Sequence, residues 1–283
     1  MSMKKSFFLI ILTFFLSGTF AQALNVMTYN VRLNVSSDSL NAWPYRKDKL
    51  ATVILYHDVT ILGVQEALPD QMEDLRQRLP NYKSIGVGRE DGINKGEFSA
   101  IFYDTAKLQL LQSATFWLSE TPAVAGSKGW DAAITRIVTW AKFKDRKTKK
   151  IFFHFNTHFD HMGEIARRES AKMVLQKVKE IAGAVPVVFT GDFNSRPSDE
   201  PIQIITDKNN PLHLTDSKEI SVTPHYGPTG TFNGFQPKER DDDPIDYIFL
   251  KGDWKVWKHA TISETWNGRF ASDHFAVFAK ISF

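Results

Sequence analysis

The chain has 283 residues, of which 42% are hydrophobic and 13% are aromatic, and it contains no cysteine. This composition is typical of a globular protein with one sizeable core, and the lack of thiols excludes disulfides, thiolate catalysis and a cysteine-bound zinc site. The formal net charge of +3 falls to +1 when the two N-terminal lysines are subtracted, since residues 1–23 carry no other charge. A nearly neutral protein has no general attraction to nucleic acid or membranes, although a local basic groove is compatible with it.

Residues 1–23 have the pattern of a secretory signal peptide. Lys4 and Lys5 precede an apolar stretch over residues 7–16, and an Ala-x-Ala cleavage site follows at residues 21–23. The apolar stretch is too short to cross a bilayer comfortably, so an uncleaved anchor is the weaker alternative and no stable membrane insertion is expected. Without a cysteine after the leader, a lipoprotein is excluded. We predict export to the periplasm or the extracellular space, with residues 24–283 as the mature domain.

The mature chain is predicted to combine many strands with a few amphipathic helices. Short apolar runs bounded by turn residues predict strands, and apolar residues spaced three or four apart predict helices. In chain order, the predicted strands cover residues 25–31, 59–65, 82–87, 98–103, 108–118, 135–143, 151–157, 185–190, 245–250, 254–262 and 275–281, and the predicted helices cover residues 44–56, 69–79 and 164–181. Strand–helix–strand order recurs along the chain, which indicates helices packed outside the sheets. Long loops are predicted at residues 119–133 and 212–243.

Polar residues suited to metal binding or acid–base chemistry stand at the ends of several predicted strands. These residues are Asn30, Glu66, Asp192, Asn194, Asp273 and His274. Side chains two residues apart in an extended chain point the same way, so Asp192 and Asn194 are predicted to face one point. Taken alone, their Gly-Asp-x-Asn segment is more often ordinary turn chemistry. The repetition of the pattern at four strand ends favours a functional site.

Together these motifs resemble those of the endonuclease/exonuclease/phosphatase superfamily, which has the deoxyribonuclease I-like fold. The matching series runs in order through nearly the whole mature chain: Asn30, Glu66, Thr157-His158, Gly191-Asp192-x-Asn194, Ile245-Asp246-Tyr247 and Ser272-Asp273-His274. Residues 157–161 with Ala166-Arg167 are similar to the deadenylase-like and secreted bacterial branch. The resemblance implies an α/β four-layer sandwich over residues 24–283, with two stacked, mostly antiparallel β-sheets flanked by helices.

The resemblance also implies a divalent-metal site formed by Asn30, Glu66 and Asp273. Glu66 is the best candidate ligand, because an unpaired charge at the end of an apolar strand is costly to bury. The alternative for Glu66 is a salt bridge with a neighbouring arginine. Asp273 would share the ion, and Asn30 would complete the shell through its amide oxygen. Oxygen ligands favour Mg²⁺, Mn²⁺ or Ca²⁺ over zinc.

The resemblance assigns the chemistry to His158, Asp192, Asn194, Asp246 and His274. Asp192 is expected to orient or deprotonate the attacking water, and Asn194 to hold a phosphoryl oxygen or Asp192 itself. Asp246 resembles the acid that fixes the tautomer of a histidine, here His274, which would donate to the phosphate. His158 is a candidate donor to the phosphoryl group or to the leaving oxygen. Outside this series of motifs, a lone histidine is usually structural.

Four further residues are candidates for substrate binding. Arg167 can grip a phosphate with its planar guanidinium, or it can form a salt bridge with a glutamate on the helix surface. Trp130 lies in a long predicted loop, and long ordered loops often border sites. Asn233 and Phe235 belong to the aromatic loop at residues 231–235, which can stack on a ring of the substrate or merely cover the core.

Two positions beside these motifs remain open, and one departs from a branch of the family. Asp160 and His161 are interpreted either as supports for His158 or as plain loop residues. Where the abasic-site DNA-repair branch carries an acid two residues after the first Asn, this chain has Arg32. Both Arg32 and the predicted export argue against a role in DNA repair.

The predicted function is that of a secreted, divalent-metal-dependent phosphodiesterase or phosphatase, in which water attacks phosphorus in line. Its partner would be a phosphate-ester substrate, with nucleic acid or a nucleotide among the candidates, and no protein partner is evident. An extracellular nuclease is the main alternative. A phospholipid head-group esterase is disfavoured because the sequence contains no evident exposed apolar hairpin. A phosphate-ligand-binding protein without catalysis is disfavoured because the set of acids, amides and histidines is complete.

Overall fold

The fold is described from a computed structural model that covers residues 23–237 and 243–283. The predicted signal peptide at residues 1–23 lies outside the described residues except for Ala23. Within the two described ranges, no helix combines the length and the apolar character needed to cross a membrane.

Two six-stranded β-sheets form the centre of the protein. From edge to edge, the first sheet contains β11 (Lys255–Ile262), β12 (Ala276–Ser282), β1 (Leu24–Asn30), β2 (Ile61–Ala67), β4 (Phe98–Asp104) and β3 (Tyr82–Ile85). The second contains β5 (Leu108–Trp117), β6 (Ile137–Asp145), β7 (Ile151–His158), β8 (Val187–Asp192), β10 (Asp246–Lys251) and β9 (Thr215–Asp216). One pair in each sheet is parallel, β1 with β2 and β7 with β8, and the other pairs are antiparallel.

Helices cover the outer face of each sheet. They are α1 (Trp43–Tyr56), α2 (Pro69–Arg78), α3 (Glu164–Ala182) and α4 (Glu200–Thr206), and a short 3₁₀ helix covers Ser36–Asn41. Side chains alternate between the faces of a strand. In β1, Val26 therefore packs between the sheets with Ile61 and Val188, whereas Met27 packs outward with Leu50 of α1. The predicted α/β four-layer sandwich is confirmed.

Most predicted elements are present, with shifted ends. The strand predicted at residues 185–190 is β8, Val187–Asp192, so Asp192 is its last residue rather than a loop residue beyond it. Helix α4 was not predicted, because its single buried stripe of Pro201, Ile202 and Ile205 is too short to give a clear helical period. The loop predicted over residues 212–243 includes the two-residue strand β9.

The two sheets approach each other closely at Gly63 of β2, which faces β7 and β8. A Cβ atom at Gly63 would lie 2.2 Å from Thr190 Oγ1 and 2.3 Å from Asn156 Oδ1. The space is used by a buried polar network in which Gln65 Nε2 donates to Asn156 Oδ1 at 2.7 Å. Asn156 Nδ2 donates in turn to the carbonyl oxygens of Val64 and Ala100, both at 2.9 Å. These bonds join the sheets and fix the strand ends that carry the site.

The strand register brings the predicted site residues to one edge of the sandwich. Asp192, at the end of β8, pairs with His158 at the end of β7 and with Asp246 at the start of β10. In the other sheet, Asn30 at the end of β1 pairs with Gln65, next to Glu66. Two parallel strand pairs, one in each sheet, therefore end at a common rim.

Candidate active site

A cleft of about 430 Å³ opens at this rim between the two sheets. Six of the predicted metal and catalytic residues line it: Glu66, His158, Asp192, Asn194, Asp273 and His274. The other two, Asn30 and Asp246, lie directly behind it and bond to residues that do line it. The strand ends thus bring together all eight predicted residues of the metal and catalytic sets.

Asn30 joins the acidic residues of the cleft. Its Nδ2 donates to Glu66 Oε1 at 3.0 Å and to Asp192 Oδ2 at 2.9 Å, and lies 3.5 Å from His274 Nε2. Its Oδ1 accepts the backbone N–H of Arg32 at 3.0 Å. The amide nitrogen, and not the oxygen expected to bind a metal, therefore faces the carboxylates in this state.

Glu66 is turned into the cleft by an irregularity in β2. Its φ is +66°, and the register between β2 and β4 shifts between Val64 and Ala67, which is the mark of a β-bulge. Its second carboxylate oxygen, Oε2, accepts the N–H of Leu33 at 3.0 Å. Among the described residues, Glu66 contacts these amide donors rather than the arginine that was the alternative partner.

Asp192 is a buried carboxyl with unusual proton affinity. Burial, followed by repulsion from Asp246, raises the pKa of Asp192 to about 7. Its Oδ1 accepts the N–H of Asn194 at 2.9 Å, and this bond closes a tight turn in which Asn194 has a φ of +46°. The chain turns after Asp192 instead of continuing as a strand, yet both side chains line the same cleft, as predicted.

His274 and Asp246 form a buried hydrogen-bonded pair, with Nδ1 of His274 2.9 Å from Oδ2 of Asp246. Burial alone would lower the pKa of His274. The nearby carboxylates of Asp246 and Asp192 outweigh burial and raise the pKa of His274 well above its usual value. The imidazolium therefore donates Nδ1–H to Asp246 and carries its Nε2–H toward Asp192, 3.8 Å away. The predicted pairing of these two residues is present in the structure.

His158 lies across the cleft as a neutral base. Asn194 Nδ2 donates to the carbonyl oxygen of Phe159 at 3.0 Å, which identifies this atom as the amide nitrogen. The same nitrogen is 3.0 Å from His158 Nε2, so Nε2 accepts the hydrogen bond and the proton sits on Nδ1. Burial, followed by repulsion from Arg136, lowers the pKa of His158 well below its usual value. Nε2 of His158 also lies 3.4 Å from Asp192 Oδ2, and its role as a donor to the phosphoryl group or the leaving oxygen stays a prediction.

The acidic side of the cleft fits a hard divalent cation. Asn30, Glu66 and Asp273 offer amide and carboxylate oxygens, the ligand atoms that Mg²⁺, Mn²⁺ and Ca²⁺ prefer. The nearest arginine contact in this set is long, with Arg32 Nε 3.7 Å from Asp273 Oδ2. Burial raises the pKa of Asp273, and the charge on Glu66 adds to this. His274 and Arg32 oppose this rise without cancelling it, and a cation bound beside Asp273 would favour its ionised form further.

A second group of possible ligand atoms overlaps this set. One ligand atom each from Asp192, Asp246 and His274 lies within 4.8 Å of the other two. The hydrogen bond between His274 and Asp246 already uses one atom of each, which makes them poorer ligands than Glu66 and Asp273. Asp192 links the two groups most directly, since its Oδ2 accepts a hydrogen bond from Asn30 Nδ2 at 2.9 Å.

Arg136 is a cleft residue that the sequence did not reveal. It is only 4% exposed, and its Nη2 lies 3.1 Å from His161 Nδ1 while its Nε lies 3.4 Å from Asp160 Oδ2. Asp160 in turn accepts the backbone N–H groups of Ala133, Met162 and Gly163. Asp160 and His161 therefore support Arg136, and not His158 directly. Arg136 comes just before β6, with no local pattern to distinguish it from other basic residues near a strand.

The four predicted substrate-binding residues lie outside the lining of the cleft. Arg167 Nη1 donates to the backbone oxygen of Asp160 at 3.0 Å, rather than pairing with a glutamate or facing the cleft. The backbone N–H of Trp130 faces the carboxylate of Glu120, at 3.2 and 3.3 Å. Both residues brace loops around the site.

The aromatic loop at residues 231–235 does reach the cleft, through a different residue than predicted. Asn233 is buried and donates Nδ2–H to the carbonyl oxygen of Ser272 at 3.2 Å. The ring of Phe235 packs against the guanidinium of Arg46, 5.8 Å from its centroid. Phe232 instead lines the cleft, with its ring edge-on to His274 at a centroid distance of 5.1 Å.

Comparisons with known proteins agree with this geometry. The model of the Endonuclease/Exonuclease/phosphatase family matches residues 27–274. A structure of an endonuclease/exonuclease/phosphatase from Bacteroides vulgatus is 41% identical, with a TM-score of 0.88, and the alignment covers 92% of this chain and 99% of that one. A mannosyl-6-phosphatase of Bacteroides thetaiotaomicron is 39% identical, with a TM-score of 0.87 and coverage of 92% and 100%. Protein angel of Drosophila melanogaster is 27% identical over 192 residues, which are 63% of this chain and 51% of that protein.

Proposed function

The chain belongs to the endonuclease/exonuclease/phosphatase family, and we propose that it is a divalent-metal-dependent phosphatase that hydrolyses a phosphate monoester of a sugar. The class of reaction follows from the family, whose related structures include a phosphatase of known type. The choice of a sugar monoester is supported by 39% identity, over 92% of this chain, to a mannosyl-6-phosphatase. The nuclease alternative has weaker support, because a related structure with bound DNA is only 20% identical and indicates a shared fold alone.

The observation that carries the proposal is the position of Asn30. Its amide holds the carboxylates of Glu66 and Asp192 at 3.0 and 2.9 Å, next to the imidazole of His274. One amide thus joins a proposed metal ligand, a base and a cationic donor at one rim. A purely structural cluster would have little reason to leave Glu66, Asp192 and His274 lining an open cleft.

Asn30, Glu66 and Asp273 are the residues that would hold the metal. When bound there, Mg²⁺, Mn²⁺ or Ca²⁺ would neutralise charge on the phosphate and stabilise the charge that develops at phosphorus. Asn30 would have to present its amide oxygen, which now accepts the N–H of Arg32. This exchange would rotate the amide group about its last bond and would replace its hydrogen bonds to Glu66, Asp192 and the Arg32 N–H.

The residues of the second sheet would handle the protons. Asp192, with a pKa raised to about 7, can take a proton from the attacking water near neutral pH. As the water oxygen bonds to phosphorus, the bond between phosphorus and the sugar oxygen breaks, and the sugar oxygen takes a proton from solvent. Asp192 then returns its own proton to solvent, so the products are phosphate and a sugar hydroxyl. His274 would donate Nε2–H to a phosphoryl oxygen, while its Nδ1–H remains bonded to Asp246. Asp246 thereby stabilises the imidazolium and fixes its orientation.

The test is phosphate release by residues 24–283 from mannose 6-phosphate, with Mg²⁺, Mn²⁺ or Ca²⁺ and with EDTA. We expect turnover that EDTA abolishes and added Mg²⁺ or Mn²⁺ restores. Bis-p-nitrophenyl phosphate and a single-stranded oligonucleotide serve as the diester arms. Nucleotide release without phosphate release from the sugar ester would contradict the proposal in favour of a nuclease. Phosphate binding without turnover of any ester would favour the binding-protein alternative.

We also propose that the protein is exported, on the basis of the lysine, apolar and Ala-x-Ala pattern of residues 1–23. The expected mature N-terminus follows Ala21 or Ala23. Mass spectrometry of the protein recovered from its native host tests this directly. A mature chain that still begins at Met1 or Ser2 would contradict cleavage.

A further inference from the structure

A second cavity, of about 380 Å³, adjoins the catalytic cleft. Phe232 lines both spaces, so they adjoin at this residue. The backbone of Phe232 pairs with that of His274, which places this junction next to the catalytic pair. Cavities that bind small molecules usually measure about 300 to 1,000 Å³. The second cavity is therefore large enough for a ligand, and it lies beside the atoms that would hold the phosphoryl group.

The lining of this cavity combines aromatic rings with uncharged hydroxyl groups. Phe232, Phe270 and Phe275 supply the rings, and the last two pack edge to face with centroids 5.0 Å apart. Ser263 and Thr265 supply hydroxyl groups from the exposed segment that follows β11. The ten lining residues that belong to the described ranges include no ionisable side chain. This surface suits a neutral ligand that has both apolar faces and many hydroxyl groups.

We propose that this cavity binds the sugar ring of the substrate while the phosphate occupies the catalytic cleft. The inference rests on the proposed phosphatase function and adds to it the location of the leaving group. A pyranose presents C–H groups on its faces for the phenylalanine rings and hydroxyl groups at its edge for Ser263 and Thr265. A nucleotide with further phosphates would place charge against lining residues that, within the described part of the chain, carry no cation to balance it. An acyl chain would contact the phenylalanine rings but would make no hydrogen bond to Ser263 or Thr265.

The inference is tested by filling the cavity from positions that are remote from the catalytic residues. Ser263→Trp places an indole in the cavity. Thr265→Trp does the same from a second lining position, so the test still stands if one of the two variants folds poorly. Both positions are exposed, so each fold should tolerate the larger side chain. Ser113→Trp is the matched control, because Ser113 is exposed on the edge strand β5 and lines neither space.

Two quantities are compared for each folded variant. The first is the kcat/KM for mannose 6-phosphate, and the second is the Kd of inorganic phosphate, which occupies the catalytic cleft alone. We expect the filling variants to lower kcat/KM about tenfold or more, mainly through KM, and to leave the phosphate Kd within about twofold. Ser113→Trp should change neither quantity.

Three results would overturn the inference, and they can be told apart. If both filling variants hydrolyse mannose 6-phosphate like the wild type, the sugar does not occupy the cavity. If they lose turnover of adenosine monophosphate but keep that of mannose 6-phosphate, the cavity serves a nucleoside. If the wild type hydrolyses no phosphate monoester, the proposed function itself fails and the inference fails with it.

Discussion

His274 Nδ1 lies 2.9 Å from Asp246 Oδ2, and both side chains are buried. The two residues are far apart in sequence and come from the loop before β12 and from the start of β10. Their contact therefore depends on the docking of the two sheets. Because Asp246 is the closest carboxylate to the ring, it holds the proton on Nδ1 and leaves Nε2–H directed at the cleft.

The first prediction is that Asp246 and His274 act as one unit. Asp246→Asn and His274→Ala should each lower kcat by about 10² to 10⁴, because each removes the same oriented imidazolium. The double variant should be little worse than His274→Ala alone. Steady-state kinetics of the three variants, with melting temperatures, measures this. Losses that multiply in the double variant would show that the residues act independently.

The second prediction concerns Glu66. Glu66→Gln keeps the size of the side chain but removes its charge, so it should weaken Mn²⁺ binding about tenfold or more and remove most activity. The fold should survive, since an amide oxygen can still accept one of the two hydrogen bonds from Asn30 and Leu33. Calorimetric titration with Mn²⁺ checks the binding. Glu73→Gln, on the exposed side of α2, is the control. Unchanged Mn²⁺ affinity in Glu66→Gln would remove Glu66 from the metal site.

The fold and the polar residues at the strand ends could be predicted from the sequence. Apolar runs predict buried strands. Asn30, Glu66 and Asp192 are conspicuous because each ends such a run with a polar group. Local irregularities of the backbone cannot be predicted from hydrophobic periodicity. Neither the β-bulge at Glu66 nor the positive φ at Asn194 produces a periodic pattern in the sequence. Asp246 was assigned by family resemblance, since a single acid at a strand start is common.

Residues on loops were predicted least well, for a physical reason. Which loop side chain faces a cleft depends on contacts made by distant parts of the chain. Phe232 reaches the cleft through a backbone bridge to His274, while its neighbour Phe235 packs against Arg46. Arg136 reaches it because Asp160, itself held by backbone N–H groups, anchors the guanidinium. None of these contacts lies within one element, so no local pattern records them.

The third prediction tests the close approach of the sheets at Gly63. In Gly63→Ala, the new methyl group would overlap Asn156 and Thr190, whose oxygens lie 2.3 and 2.2 Å from the Cβ position. Overpacking and the displaced Asn156 hydrogen bonds should lower the free energy of unfolding by about 3 kcal/mol or more. Gly183→Ala is the control, because its φ is +59° but nothing lies within 4 Å of the added methyl group. It should cost about 1 to 2 kcal/mol through backbone strain alone. Equal losses in urea denaturation would show that the sheets can separate at Gly63.

The last prediction concerns the pH dependence of stability at Asp216, a residue of β9 outside the catalytic cleft. Burial raises the pKa of Asp216 to about 6, although its Oδ1 accepts the N–H of Lys218 at 2.9 Å. The folded protein therefore binds a proton at Asp216 more tightly than the unfolded chain, whose aspartates titrate near pH 4. The stabilisation due to this proton is complete below about pH 4 and is lost as the pH rises through 6.

Asp216→Asn isolates this contribution, because asparagine keeps an acceptor for Lys218 N–H and cannot ionise. Near pH 4 the variant and the wild type should have similar free energies of unfolding, since Asp216 is then largely protonated in the folded state. At pH 7.5 the wild type must bury a charge, so the variant should be more stable by roughly 2 to 3 kcal/mol. Urea denaturation of both proteins between pH 4 and pH 8 gives the difference directly, and the contributions of other titrating groups cancel in it. Asp253→Asn, in an exposed turn, is the control for the substitution itself. A stability difference between Asp216→Asn and the wild type that stays flat across this range, or that favours the wild type at high pH, would show that Asp216 is ionised without cost in the folded protein.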